Sequence, residues 1–399
     1  MKVPFHRPSL GTEEIEAVNL TLASGWLTTG PRTAEFEQEF KDYVGVPNAL
    51  AVNSCTAGLH LALAALGLGP GDEVITTPLT FCATVNVIMH TGATPVLADI
   101  GPDGNIDPES IASRITNRTR ALLPVHYAGL PCKMDDIWSL ARDRGLYVVE
   151  DCAHSLGATY HGAQTGSSPL PEGRGSDAAA YSFYATKNIT TGEGGMVVTP
   201  HSAIADKMKV LCLHGISRDA WNRYSDKGNW YYEVGEPGFK YNMSDIQSAI
   251  GIEQLRKLER FTECRERHVK LYDKLLGGVE HFELPPRNDE SRHAWHIYAL
   301  RLNLDRLRID RAEFMDQLRE RGIGASVHFI PIPMHPFFRE HADLPHNACP
   351  EAMALYPRLI SLPLFPSMTE EEVTYVAESV KAIAAEHSKS RTVAMDAVV

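Results

Sequence analysis

Lys187 stands between two apolar runs. Ala178 to Phe183 precedes it, apolar and aromatic enough for a buried strand, and Met196-Val197-Val198 follows after a stretch of small and glycine residues. A lysine held at a dry loop end has a lowered pKa, because burial disfavours its charged form. A neutral amine is what Schiff-base formation with an aldehyde requires. The plain alternative is a solvated lysine on a connecting loop, where most lysines are found. A second group decides between the two. Leu146-Tyr147-Val148-Val149 reads as a short buried strand, and it runs into Glu150-Asp151-Cys152-Ala153-His154-Ser155. Acids at the carboxyl end of a parallel strand stand where open α/β sheets bind ligands.

A carboxylate in that place and a lysine further along suit pyridoxal 5'-phosphate (PLP). The carboxylate keeps the pyridine nitrogen protonated, so that the ring accepts electrons, and the lysine carries the aldehyde. The elements needed to position such a pair can be read in order. Thr12 caps a helix with Ile15, Val18 and Leu22 at helical spacing, and Arg32 to Val44 forms a second one. Between them, Trp26-Leu27-Thr28 lies in a Gly/Ser/Thr-rich break that suits sugar binding, an amphipathic ring beside small hydroxyl residues. Strand Ala49 to Val52 feeds Asn53-Ser54-Cys55-Thr56-Ala57-Gly58 and then the helix Leu59 to Leu66. Small residues at such a turn let backbone N–H groups and a helix N-terminus reach a phosphate. The spacing is not that of a Walker loop.

Further strands fall at Glu73 to Thr76, Pro95 to Ala98 and Ala121 to Val125, the last ending at the candidate substrate loop Tyr127-Ala128-Gly129. Phe81, after the second of the chain's strands, could stack on a flat ring or simply pack in the core. Helix Met134 to Arg144 leads to the Asp151 strand. This alternation implies an α/β fold, a mostly parallel sheet covered by helices. Residues 161–177 read as a long loop, and their Gly173-x-Gly175 pattern precedes a strand, the wrong context for a dinucleotide fingerprint. Helix Ala203 to Leu213 precedes a polar, aromatic excursion from His214 to Asp245 that carries Arg218, Arg223, Tyr224, Tyr231, Lys240 and Asn242. Two helices, Asp245 to Leu258 and Phe261 to Leu276, lead to a smaller C-terminal part with a strand from Trp295 to Leu302. Helices Arg311 to Arg321 and Thr369 to Glu386 follow. The expected division is 1–244 for a large cofactor-binding domain, 245–387 for bridging helices and a small domain, and 388–399 for a disordered tail.

Glu150-Asp151-x-Ala153-His154-Ser155, together with Ser182-Phe183-x-Ala185-x-Lys187-Asn188-Ile189-Thr190, resembles the DegT/StrS family of PLP-dependent sugar aminotransferases, from about residue 4 to about residue 385. The likeness is greatest to enzymes that aminate C4 of UDP-linked keto sugars. It implies a fold-type-I architecture (aspartate aminotransferase-like), glutamate as amino donor, and a homodimer whose His214–Asp245 segment reaches the partner's site. On that resemblance Lys187 and Asp151 are catalytic. Cys55, Thr56, Ala57 and Ser182 hold the cofactor phosphate, Phe81 covers the ring, and His154 orients the ring or its phenolic oxygen. Many relatives have asparagine where Lys240 stands, so either Lys240 or Asn242 could meet the phosphate. Trp26, Leu27, Thr28, Tyr127, Tyr184, Arg223 and His328 are the substrate candidates, the last from Val327-His328-Phe329-Ile330-Pro331.

Composition agrees with such an enzyme. The chain has 399 residues, 44% apolar and 22% charged, with a net charge of −12 that argues against general nucleic-acid or anionic-membrane binding. Seven cysteines without a C-x-x-C pair argue for a reducing cytosol and against zinc. No run reaches transmembrane length and the N-terminus lacks a signal-type apolar region, so the expected location is cytoplasmic, with no metal. Three rivals remain open: C3 amination of a dTDP-keto sugar, the family's dehydratase branch, and a non-catalytic regulator on the same fold. Lys187 speaks against the dehydratase branch, which has histidine there. The intact Asp151, Ser182 and Lys187 set weighs against a regulator.

Overall fold

Seven strands make the central sheet in the computed structural model, which describes residues 1–167, 175–216, 232–341, 344 and 348–389. In chain order they are β1 (Asn48–Val52), β2 (Glu73–Thr76), β3 (Thr94–Leu97), β4 (Thr119–Leu123), β5 (Tyr147–Asp151), β6 (Ala178–Ser182) and β7 (Gly195–Thr199). Their order across the sheet is β1-β7-β6-β5-β4-β2-β3. All neighbours are parallel except at β7, which runs antiparallel to both β1 and β6. The strands are apolar on both faces because helices cover both, as parallel sheets require. One face carries Val52, Leu59, Leu63, Val149 and Val197; the other carries Phe36, Phe40, Tyr181, Phe183 and Met196.

The N-terminal helices are α1 (Thr12–Ser24) and α2 (Pro31–Val44). Gly11, not Thr12, is the N-cap of α1. The Glu14 carboxylate accepts the Gly11 N–H at 2.7 Å, and Glu14 is buried against Lys257 and Gln254. The helix therefore packs through its polar side, leaving Ile15 at 61%, Leu20 at 62% and Leu22 at 51% exposure. Helix α3 (Cys55–Ala65) starts earlier than its apolar run because Ser54 caps it, its hydroxyl accepting the Ala57 N–H at 3.1 Å. Helix α4 (Cys82–His90) follows β2.

The expected pair of bridging helices is one helix, Asp245–Leu276, of 32 residues. No Gly or Pro interrupts residues 252–276, and a Ser244–Gln247 capping box fixes its start. The expected strand from Trp295 begins only at Tyr298. Before it the backbone turns aside: Trp295 has φ of +49°, and the N–H groups of His296 and Ile297 donate to Ala128 O. Tyr298–Leu302 pairs with Phe282–Glu283 and Leu359–Leu362 in a small antiparallel sheet. Its core gathers Tyr272, Tyr298, Leu300, Phe314 and Val376. Val3 belongs to this second core and pairs with Ile323, although the sequence places residues 1–244 in one unit. In the tail, Ser388 bridges Leu307, and residues 390–399 lie outside the described ones. No helix among the described residues is long and apolar enough to cross a membrane.

Candidate active site

The carboxyl ends of β4, β5 and β6 and the N-termini of α3 and α4 meet around a cavity of about 560 Å³. That is within the range of small-molecule sites, roughly 300–1,000 Å³. Lys187 enters it from the loop between β6 and β7. That loop is pinned at its base, where Phe183 N–H donates to Gly194 O and Thr191 N–H to Phe183 O, each at 2.9 Å. The next residue fixes it from behind: the Asn188 amide donates to Leu156 O at 3.2 Å and to Ala294 O at 2.9 Å. The Lys187 amine is thus held in a dry place. Desolvation lowers its pKa to about 8, against the opposing pull of Cys55 and Asp151.

Asp151 ends β5 and is 5% exposed. Its Oδ1 accepts the Ala153 N–H at 3.0 Å and its Oδ2 accepts the Thr84 hydroxyl at 2.9 Å. Burial pushes its carboxyl pKa up, while the Ala153 and Thr84 bonds and Lys187 pull the other way. Such a carboxylate gains from a cationic N–H placed in the cavity, which fits a pyridinium. His154 is buried in the same wall with Nδ1 free of any partner. Its ring stacks on Phe329 at 5.5 Å and lies 4.4 Å from His296, and burial holds both histidines well below their usual pKa, hence neutral.

In the same cavity, the first turn of α3 carries N–H groups without helical partners. Cys55 and Thr56 line the cavity there together with Ser54 and Ser182. Gly195 makes the approach possible, since a Cβ there would lie 2.6 Å from Cys55 N. An anion-binding helix start, a buried amine and a buried carboxylate in one cavity match the three polar regions of PLP: phosphate, aldehyde and pyridine nitrogen.

Of the residues singled out from the sequence, Cys55, Thr56, Phe81, Asp151, His154, Ser182, Tyr184, Lys187 and His328 line this cavity. Phe81 stands at α4's N-cap, 61% exposed, its ring 6.2 Å from Phe329. His328 Nδ1 meets the Ser361 hydroxyl at 2.8 Å, and desolvation lowers its pKa to about 4. Others stand elsewhere. Ala57 is buried behind the helix start. Tyr127 is buried with its hydroxyl donating to His328 O at 2.6 Å, so it braces that segment's backbone. Trp26, Leu27 and Thr28 are exposed on a loop tied to the start of the long helix, where Asn242 Nδ2 donates to the Thr29 hydroxyl at 2.8 Å. Lys240 is exposed beside Asn53, whose amide donates to Lys240 O at 3.3 Å. Arg218, Arg223, Tyr224 and Tyr231 lie outside the described residues. Thr84, Phe329 and His296 were not singled out, yet they line the cavity.

His126, Glu150 and Cys152 offer ligand-type atoms within 4.8 Å of one another beneath β5. They are already engaged among themselves. His126 Nδ1 accepts the Cys132 N–H at 3.0 Å, so its proton is on Nε2, which donates to Glu150 at 2.7 Å.

The lowered pKa of the amine makes a pH prediction. The rate at which apoprotein takes up added PLP should climb about tenfold per pH unit below pH 8 and level off above it, as the deprotonated fraction saturates. Stopped-flow absorbance of cofactor uptake measures this. A rate still climbing at pH 10 would mean an unperturbed lysine.

The chain matches the model of the DegT/DnrJ/EryC1/StrS aminotransferase family over residues 8–381. It is 47% identical over 383 residues to the spore coat polysaccharide biosynthesis protein SpsC of Bacillus subtilis, covering 96% of this chain and 97% of that one. The PMP form of Spr1654 from Streptococcus pneumoniae superimposes with a TM-score of 0.90 at 32% identity, covering 96% of this chain and all (100%) of that one. PseC of Helicobacter pylori, an aminotransferase involved in pseudoaminic acid biosynthesis, gives 0.87 at 31% identity, covering 97% and 100%. The chain therefore belongs to the DegT/DnrJ/EryC1/StrS aminotransferase family and is a PLP-dependent sugar aminotransferase.

Proposed function

We propose that the chain transfers the amino group of L-glutamate to C4 of a UDP-linked 4-keto sugar in the cytoplasm, with Lys187 and Asp151 as its catalytic residues. The observation that carries the site reading is that a dry amine and a dry carboxylate face one cavity. The names of SpsC and PseC, one in polysaccharide and one in pseudoaminic acid biosynthesis, support an activated sugar as acceptor. PLP bound here supplies an electron sink. The chain's part is positional and protic. Asp151 holds a proton on the pyridine nitrogen. The α3 start with Ser182 binds the phosphate, and His154 orients the ring. The Lys187 amine, once free, moves a proton between the donor Cα and C4′ of the cofactor as general base and then acid. The keto sugar uses the same groups in reverse, which gives ping-pong kinetics. Turnover of a panel of UDP- and dTDP-linked 3-keto and 4-keto sugars with glutamate tests the substrate. Preference for a UDP-4-keto sugar is expected; preference for a dTDP-3-keto sugar would move the chain to C3 chemistry.

The active form, on this reading, is a homodimer with shared sites. Ile15 and Leu22, two turns apart on one face of α1, and Trp26 and Leu27 beyond its end leave an exposed apolar stripe that runs to the substrate-candidate loop. Stripes of this kind mark contact surfaces, and C2 pairing is the commonest closed arrangement. Lys240, exposed at the edge of the β1 turn, would then face the partner's phosphate or nucleotide. A mixing experiment is decisive. Lys187→Ala protomers and protomers carrying both Arg223→Ala and Lys240→Ala are exchanged into mixed dimers. One of the two sites then carries neither lesion, so activity should return toward half of a wild-type site complement. Mixing that restores nothing would mean that each site is built from one chain.

A further inference from the structure

Among the described residues Arg265 is the largest wholly buried side chain, 1% exposed, and it lies on the long helix behind the Lys187 loop. Its Nη1 donates to three carbonyls: Trp295 O at 3.2 Å, His296 O at 3.4 Å and Leu364 O at 2.7 Å. Its Nε and Nη2 have no partner. Among the described residues no carboxylate forms an ion pair with it. Glu14, which meets the same helix two turns earlier, is engaged by Lys257 and Gln254. Desolvation lowers the guanidinium only to about 10, so it remains charged at neutral pH. A buried charge with neither counter-ion nor full hydrogen bonding is a large cost that folded proteins avoid.

The unpaired atoms are not scattered. Arg265 lines a small cavity with His6, Ser9, Asn188 and Lys187. His6 Nε2, Ser9 Oγ and Asn188 Oδ1 are likewise buried without a partner. The space is about 10 Å³, room for the centre of one water-sized particle. In the single chain these atoms have almost no exposed surface. Whatever satisfies them is small.

We propose that this cavity is a binding site for a single monatomic anion of chloride's class, held by Arg265 Nε and Nη2 and the Ser9 hydroxyl. The anion neutralises the guanidinium and joins three chain segments that otherwise share few bonds: the N-terminal stretch at His6 and Ser9, the loop bearing Lys187, and the long helix. The site lies behind the lysine, outside the substrate cavity, so it is a structural anion site and not a place for the donor or the sugar.

The test is a crystal of the wild-type protein prepared with bromide as the only halide. An anomalous difference peak within hydrogen-bond reach of Arg265 Nε and Nη2 is the expected result. Ordinary water density without an anomalous signal would overturn the proposal and make the cavity a hydration site. In solution, replacing chloride by gluconate at fixed ionic strength should lower the melting temperature of the wild type by several degrees. It should leave Arg265→Met unmoved, because the variant has no charge to neutralise. Equal responses of the two proteins would also overturn the site, and should Arg265→Met not fold, the bromide measurement on the wild type decides alone.

Discussion

Lys187→Ala is expected to abolish transamination while leaving the fold intact. The amine both carries the cofactor and moves the proton. General acid–base catalysis alone is worth roughly 10²–10⁴-fold, so the loss should reach or exceed the upper end of that range. Stability should not fall with it. The folded amine has a pKa of about 8 against 10.5 for the free side chain. The folded state therefore binds that proton more weakly than the unfolded one. Burying Lys187 costs stability at every pH below about 8, and the cost fades only as pH rises from there toward 10.5. Removing the amine relieves it, so apoprotein melting at pH 7 should be unchanged or higher in the variant. Assay with glutamate and the preferred keto sugar, with calorimetry on the same samples, checks both halves. Turnover near the wild-type rate would remove Lys187 from the chemistry.

Asp151→Asn should keep PLP bound but slow the reaction by roughly 100-fold to 1,000-fold, about 3–4 kcal/mol, the scale on which one preorganised charge or donor acts in a dry site. An amide cannot hold a proton on the pyridine nitrogen as a carboxylate does. The local structure can absorb the change. Thr84 shares its hydroxyl hydrogen bond with Thr80 at 2.7 Å and can turn to accept from the new amide. The Ala153 N–H can still donate to the remaining oxygen. Single-turnover rates of the glutamate half-reaction separate this loss from weaker binding. A rate within a fewfold of wild type would mean that another group faces the nitrogen.

Much of the cavity could be read from the chain because its residues sit in short contiguous runs. Glu150 to Ser155 ends one strand, Ser182 to Thr190 leaves another, and Asn53 to Gly58 joins a strand to a helix. Local pattern carries such information. What escaped has a physical reason in each case. Thr84 reaches Asp151 from the first turn of α4, and only its spacing four residues from Thr80 hinted at a shared face. His296 and Phe329 come from segments of the smaller C-terminal part, brought in by long-range packing that leaves no local mark. A histidine inside the apolar run Trp295 to Leu302 was the available clue. The antiparallel β7 was invisible because a strand buried on both faces reads the same in either direction. The long helix was split where its polar residues cluster near Glu259 and Arg260, although neither is a helix breaker. The apolar spacing of α1 was legible, but not that its polar side would be the buried one, since Glu14 finds Lys257 far along the chain.

The most direct test of the account is to trap the cofactor on the chain. Purified protein loaded with PLP is reduced with borohydride, digested, and sequenced by mass spectrometry. The account predicts the added cofactor mass on Lys187 and on no other lysine, with the Asp151→Asn protein labelled at the same residue. Label on a different lysine, or a wild-type protein that binds PLP and acquires none, would contradict it.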